Sequence, residues 1–176
     1  MKKILWTLLL CMGFVLAGCQ TDPAPALPGQ LYDTGCFQVQ IPDGWGALEV
    51  TDPFSEPPNA VKPDALFLIK GGSREQDLHS KLYLRVEYYG EDGALPTSDG
   101  YENVAPIAPF VAGGYTWSGF TCDEYQGRVY FGKTFCLWTE DGRFVVAGTL
   151  ERERQKITME DPDLRMILGS LQQREE

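Results

Sequence analysis

The stretch GYTWSGFTCDEYQGRVYFGKTFCLWTEDGRFVVAGTL, residues 114–150, decides the fold, because two turn signals divide it into three runs of strand-forming residues. Each run is rich in aromatic and β-branched residues, which favour strands. Gly127-Arg128 separates the first two runs and Asp141-Gly142-Arg143 the last two. Short turns containing glycine join neighbouring strands of hairpins. The stretch therefore predicts three consecutive antiparallel strands.

The same signals continue on the N-terminal side of this stretch. Residues 36–41 alternate with period two, 66–69 form a continuous apolar run, and 81–89 alternate again. These patterns predict further strands, with Arg85 facing outward in the last of them. Residues 90–109 contain three prolines and three glycines without a sustained period, so they predict a long irregular excursion. Loops of that length inside a compact domain are often functional.

The C-terminal part predicts a helix. Leu164, Ile167, Leu168 and Leu171 are spaced i, i+3, i+4 and i+7, which places them on one helical face. Thr158 or Asp161 can cap this helix, and Pro162 suits its first turn. We therefore expect the α+β class, a twisted antiparallel β-sheet packed with a C-terminal helix.

The first residues indicate export and lipid anchoring. Met1-Lys2-Lys3 is a short positive region, and the apolar run that follows, residues 4–17, is shorter than a membrane span. The run ends in Leu16-Ala17-Gly18-Cys19, which resembles a bacterial lipobox; an ordinary secretory signal is the alternative. We expect residues 1–18 to be a signal peptide and Cys19 the acylated residue. A Pro-rich tether (19–30) and one domain (31–176) follow.

Composition limits the partners. The net charge is −10, with 15 Lys and Arg against 25 Asp and Glu, which argues against nucleic-acid binding. An acidic domain is also expected to stand off anionic lipid, although the charge could equally serve solubility alone. One histidine excludes a multi-histidine metal site. Outside the cytosol, Cys122 and Cys136 are candidates for a disulfide; a pairing of Cys36 and buried free thiols are the alternatives.

Two segments resemble the PsbP-like group and its bacterial lipoprotein relatives. Phe37-Gln38-Val39-Gln40-Ile41-Pro42-Asp43-Gly44-Trp45 looks like the opening of such domains, and Ile167-Leu168-Gly169-Ser170-Leu171 looks like their terminal helix. The resemblance implies an α/β/α sandwich and a binding or accessory role without a shared catalytic residue set. The segment 90–109 departs from the group, in which a helix is usual at that point.

Candidate site residues are mostly aromatic. Tyr115, Trp117 and Trp138 are candidates for a stacking surface that binds a glycan or a protein, and a thick sheet core is the alternative. His79, with Asp77 and Ser80 close in sequence, is interpreted as a solvated loop residue and not as part of a triad. The carboxylates of Asp92 and Asp99 are interpreted as side chains that stabilise turns, and calcium binding is the alternative.

The sequence favours a membrane-anchored extracytoplasmic lipoprotein, at the cell surface or in the periplasm. We expect a non-catalytic binding or accessory module for an envelope protein or glycan, with no cofactor and no metal. The alternative is an envelope hydrolase that uses carboxylates such as Asp123, Glu124 and Glu140 in a cleft.

Overall fold

The computed structural model describes residues 29–174 and shows a mostly β protein, with 57% strand and 10% helix. The expected signal peptide, the expected acylation site Cys19 and most of the expected tether lie outside the described residues. The described chain forms eleven strands and one α-helix. They are β1 Gly29–Asp33, β2 Phe37–Pro42, β3 Trp45–Asp52, β4 Ala60–Lys70, β5 Tyr83–Tyr88, β6 Glu102–Ala112, β7 Tyr115–Gln126, β8 Val129–Thr139, β9 Phe144–Arg152, β10 Gln155–Lys156, α1 Pro162–Ser170 and β11 Gln172–Gln173.

Two antiparallel sheets face each other. The large sheet has the order β3-β4-β5-β9-β8-β7-β6, with β10 added beside β9, and the small sheet has the order β1-β2-β11. The hairpin strands predicted from residues 114–150 are β7, β8 and β9, and they are paired as expected. The small sheet joins the two ends of the described chain, because β1 and β11 both pair with β2.

The expected α+β class is therefore wrong, and so is the α/β/α sandwich that the PsbP-like resemblance implied. The fold is a β-sandwich in which α1, nine residues long, is too short to form a layer of its own. The second sheet escaped prediction because β1 has no clear alternation and β11 has only two residues. Strands this short carry almost no periodic signal.

The core lies between the two sheets. Phe37 and Val39 of β2 are fully buried, as are Leu84 of β5 and Leu137 of β8. These residues belong to a single cluster that also contains the apolar face of α1. Alternation along each strand places such side chains on the inner face and leaves the opposite face of the large sheet outside this core.

The short helix follows the sequence prediction closely. Leu164, Ile167, Leu168 and Leu171 are all 0% exposed. The Asp161 side chain accepts hydrogen bonds from the backbone N–H groups of residues 163 and 164, which satisfies donors that a helix start leaves free. The helix contacts β2 and β6, so it closes the core beside the small sheet.

The excursion expected over residues 90–109 is only partly irregular. Its second half belongs to β6, which lies at the edge of the large sheet. An edge strand tolerates proline because one row of its backbone groups needs no partner, and the pairing of β6 with β7 is interrupted by two irregularities. Prolines at 106 and 109 thus concealed a strand. Within the described residues, no helix is long and apolar enough to cross a membrane.

Candidate ligand-binding groove

The outer face of the large sheet, opposite the small sheet, carries a groove with a volume of about 380 Å³. Its floor is formed by residues of β7, β8 and β9, and Tyr83 and Arg85 of β5 border one side. Tyr101, which precedes β6, borders the other side and packs on Phe120 with ring centroids 5.5 Å apart. The groove lies where residues 89–101 return across the sheet towards β6. We call it the outer groove.

Arg85 lines one wall of the outer groove, and the guanidinium group of Arg152 supports the same wall by packing on Tyr83. Arg85 donates to Glu87 over 2.6 Å and lies 5.8 Å from the centre of the Phe67 ring. Arg152, only 3% exposed, packs on the Tyr83 and Phe131 rings, which fix its plane by cation–π contact. Flat cations held on aromatic rings present N–H groups in fixed directions, which is what recognition of polar ligands requires.

Each of these arginines keeps an unused donor. Arg152 donates to the carbonyl of Leu78 and forms an ion pair with Glu124, yet its Nε is buried without a hydrogen-bond partner among the described residues. The Nε of Arg85 is in the same situation. A buried donor without a partner costs free energy, so the Nε of Arg85, which lines the outer groove, favours an acceptor supplied by a ligand there.

The carboxylates of the hydrolase hypothesis do not converge. Glu124 points to the outer groove and pairs with Arg152, whereas Asp123 contacts Lys133 over 3.5 Å and accepts from Asn103. Glu140 lies at the far end of β8, next to the start of β7. Adjacent residues on a strand face opposite sides, which separates the first two carboxylates.

The expected disulfide is not formed, and both cysteines are free thiols. Cys122 is directly opposite Thr134, whose hydroxyl oxygen is 3.1 Å from its Sγ, while Cys136 is opposite Phe120. The two thiols are therefore diagonal neighbours, and diagonal Cα atoms are ~7–8 Å apart, too far for a disulfide. Burial raises the pKa of Cys136 to about 11. Both residues line the outer groove.

The three predicted binding aromatics do not share one surface. Trp117 is fully buried in the core and donates its indole N–H to the carbonyl of Ala112. Tyr115 packs beside it and against Phe144, with ring centroids 5.5 Å apart. Trp138 alone lies on the outer face, 6.2 Å from Phe120. The alternative interpretation, a thick sheet core, therefore describes Tyr115 and Trp117, whereas Trp138 lies on the outer surface.

Sequence reasoning missed the residues that border the outer groove. Tyr83, Tyr101 and Phe120 carry no sequence signal that distinguishes them from other strand aromatics. A signal did exist for Arg85, because the alternation of residues 81–89 placed it on the outward face. Alternation assigns residues to faces, but it does not reveal which face gains a concave shape.

The remaining candidates form no second site. His79 is exposed at the end of a 3₁₀ turn, Glu75–His79. Asp77 is held by Lys81 and by backbone N–H groups, so it does not orient the histidine. Among residues 29–174, no group of three or more His, Cys, Asp or Glu side chains is arranged to hold a metal ion.

No family model, no curated protein and no solved structure matches this chain. The resemblance to the PsbP-like group accordingly stays a prediction, and the fold it implied is replaced by the sandwich described above.

Proposed function

We propose that the protein is a lipid-anchored extracytoplasmic binding module that holds part of an envelope glycan or protein in the outer groove. The observation that carries this proposal is the groove itself, with aromatic rings on both sides and the Nε donor of Arg85, which lacks a partner among the described residues. Export and anchoring come from the sequence of residues 1–19, which lie outside the described residues.

The chemistry of the outer groove suits a ligand with a ring or an apolar segment beside hydrogen-bond acceptors. Tyr101, 56% exposed, and Phe120 offer ring faces, and such faces stack on sugar rings and on apolar side chains alike. Arg85 and Glu124 supply fixed polar groups at the side of the groove. Concave sites of ~300 Å³ or more that combine apolar walls with a few polar groups are typical of ligand binding.

Binding, not hydrolysis, is the function that this arrangement favours. Glycoside hydrolysis with two carboxylates needs both groups on one side of a cleft, ~5–10 Å apart. Asp123 and Glu124 both line the outer groove, but their side chains point to opposite faces of β7 and each is already in an ion pair, Glu124 with Arg152 and Asp123 with Lys133. These ion pairs hold the side chains in place, which suits recognition.

A capture experiment tests the proposal. The chain from Gln20 onward is immobilised and exposed to solubilised envelope proteins and to fragmented envelope glycans. We expect one class to be retained by the wild type and lost, at least several-fold, by Tyr101→Ala. Tyr89→Ala is the matched control, because Tyr89 is 41% exposed and does not line the groove. Equal retention by both variants, or none by the wild type, contradicts the proposal.

The state of the captured material separates the two functions. A glycan recovered at its original length supports a binding module. A glycan shortened in a reaction that Glu124→Gln abolishes would instead establish a hydrolase. Incorporation of labelled fatty acid at Cys19, and its loss in Cys19→Ala, tests the anchor independently.

A further inference from the structure

The described domain begins at the same end of the sandwich as the β7–β8 hairpin turn. Gly29 pairs with Pro42, and the turn after Pro42 contacts the end of β4, where the Gly71 N–H donates to the Gly44 carbonyl over 2.6 Å. Antiparallel pairing places the start of β5, the end of β9 and the start of β8 at this same end of the large sheet. We call it the tether end.

The hairpin turn at the tether end is fully exposed and amphipathic. Tyr125, Val129 and Tyr130 are 37%, 68% and 44% exposed, and the two tyrosine rings meet edge to face with centroids 5.8 Å apart. Arg128 sits at the tip and forms no ion pair with any described residue. Tyrosine beside arginine is typical of the boundary between water and lipid.

Charge is distributed unevenly between the two ends. At the tether end several carboxylates are neutralised, Asp163 by Lys70, Asp77 by Lys81 and Glu151 by Lys156. Asp43, Glu75, Glu102 and Glu153 also lie at this end, without an ion pair among the described residues. The opposite end carries more such carboxylates, on residues 52, 56, 64, 91, 92 and 140. Anionic headgroups therefore repel the opposite end more strongly.

The length of the linking segment restricts orientation further. The ten residues from Cys19 to Pro28 span about 31 Å when extended at ~3.1 Å per residue. The twelve residues of β7 span about 40 Å at ~3.3 Å per residue. A domain anchored through Cys19 thus keeps its tether end within about 31 Å of the bilayer. An inverted domain would hold that end about 40 Å away, which is beyond the reach of the linking segment.

We infer that the tip of the β7–β8 hairpin, residues 125–130, contacts the lipid headgroups of the membrane that carries the anchor. This inference rests on the acylation of Cys19 that the proposed function includes. It reverses the expectation that an acidic domain stands off the membrane, because more of the unpaired carboxylates lie at the opposite end and Arg128 lies at the tip of the hairpin. The strands then run upright from the bilayer, and the outer groove opens sideways.

Photocrosslinking tests the contact. The full acylated chain is placed in vesicles of phosphatidylethanolamine and phosphatidylglycerol, with p-benzoylphenylalanine at position 130 or, as the matched control, at position 89. Tyr130 and Tyr89 are 44% and 41% exposed, but Tyr89 lies at the opposite end. We expect lipid adducts at position 130 to exceed those at position 89 several-fold.

The readouts separate the two claims. Fatty-acid labelling of the same sample reports the anchor, so an unlabelled chain overturns both the anchor and this inference. A labelled chain whose two positions crosslink equally, or not at all, overturns the inference alone. The double substitution Tyr125→Ser and Val129→Ser is expected to lower the yield of lipid adducts at position 130. This result would show that the hairpin side chains contact lipid, because mere closeness of the tether end to the bilayer would leave the yield unchanged.

Discussion

Asp163 joins three parts of the molecule through one carboxylate. Its Oδ2 accepts from the Trp45 indole and from Lys70, both over 2.9 Å. Burial alone would raise the pKa of Asp163, but the hydrogen bonds from Lys70 and Trp45 outweigh it and hold the pKa below its usual value. The ionised form therefore stabilises the fold above the unfolded-state pKa, and this contribution is lost as the pH falls through the folded-state value.

Asp163→Asn is expected to lower the free energy of unfolding at pH 7 by about 1 kcal/mol, because a charged acceptor is exchanged for a neutral one. Urea unfolding between pH 7 and pH 3 measures the effect. The difference from wild type should shrink as the pH falls, since the wild-type carboxylate becomes protonated. Asp99→Asn, at an exposed position, is the control, and a difference that stays constant with pH contradicts the explanation.

The free thiols permit a second test at the residue scale. Because Cys122 and Cys136 are diagonal neighbours and unbridged, unreduced protein unfolded in denaturant should accept alkylating reagent at Cys36, Cys122 and Cys136. In the native state, Cys136 should react slowly at neutral pH and faster as the pH approaches 11, since its raised pKa leaves little thiolate. Mass spectrometry decides, and a mass indicating a disulfide would refute the register.

Single residues also show where sequence reasoning ends. The alternation of residues 115–120 places Trp117 and Phe120 on opposite faces of the strand. It does not show which face belongs to the core, because both faces carry aromatic rings. The prediction of Trp117 as a binding residue is wrong because the core encloses it, and the ring that borders the outer groove belongs to Phe120.

At the scale of elements, the turn between β6 and β7 packs directly on the end of α1. Both Gly113 and Gly114 have positive φ, at 62° and 82°, a region that disfavours other residues. A Cβ on Gly113 would lie 2.6 Å from the carbonyl oxygen of Gly169, whereas one on Gly114 would meet nothing within 4 Å. The two positions therefore separate backbone strain from a packing clash.

Gly114→Ala is expected to cost about 1 kcal/mol of unfolding free energy, the strain of the backbone alone. Gly113→Ala should cost about 1–3 kcal/mol more, because the turn must also move away from the helix. Chemical denaturation of both variants gives the comparison. Equal losses of unfolding free energy in the two variants would mean that the helix shifts without penalty and that the contact between Gly113 and Gly169 does not fix its position.

The secondary-structure elements differ in how clearly the sequence predicts them. The helix was predicted with its cap and its buried face, because four leucine or isoleucine residues, an aspartate and a proline agree there. Strand β6 was missed, since Pro106 and Pro109 oppose a strand except at a sheet edge, and edge position is a property of the whole sheet. The outer groove depends on that strand, as Tyr101 comes immediately before it.

At the scale of the whole molecule, the fold class was the main error of prediction. A sheet and a helix were foreseen, but the second sheet requires the two ends of the described chain to meet on β2. Such pairings join residues 38 and 172, and local periodicity carries no information about contacts so distant in sequence. Lipid anchoring, in contrast, depends on a local motif, and Cys19 stays a prediction for fatty-acid labelling.

The meeting of chain ends leads to a final prediction about cooperativity. Strand β11 pairs with β2, and the Arg174 N–H donates to the Cys36 carbonyl over 3.0 Å. Phe37 of β2 contacts the Phe144 ring of the large sheet, with centroids 5.9 Å apart. Ending the chain after Leu171 removes those hydrogen bonds and uncovers one edge of β2, so we expect a loss of about 2–3 kcal/mol.

Ending the chain after Arg174 is the control, and it should leave the unfolding free energy unchanged. Because both sheets share one core, the shorter variant should still unfold in a single transition, with tryptophan fluorescence and far-ultraviolet circular dichroism coinciding. The fluorescence reports the contact of Trp45 in β3 with Asp163 of α1 together with Trp117 and Trp138 in the large sheet, while the dichroism follows the strands of both sheets. Two separate transitions would show that the small sheet and the helix form an independent unit, which a common core does not allow.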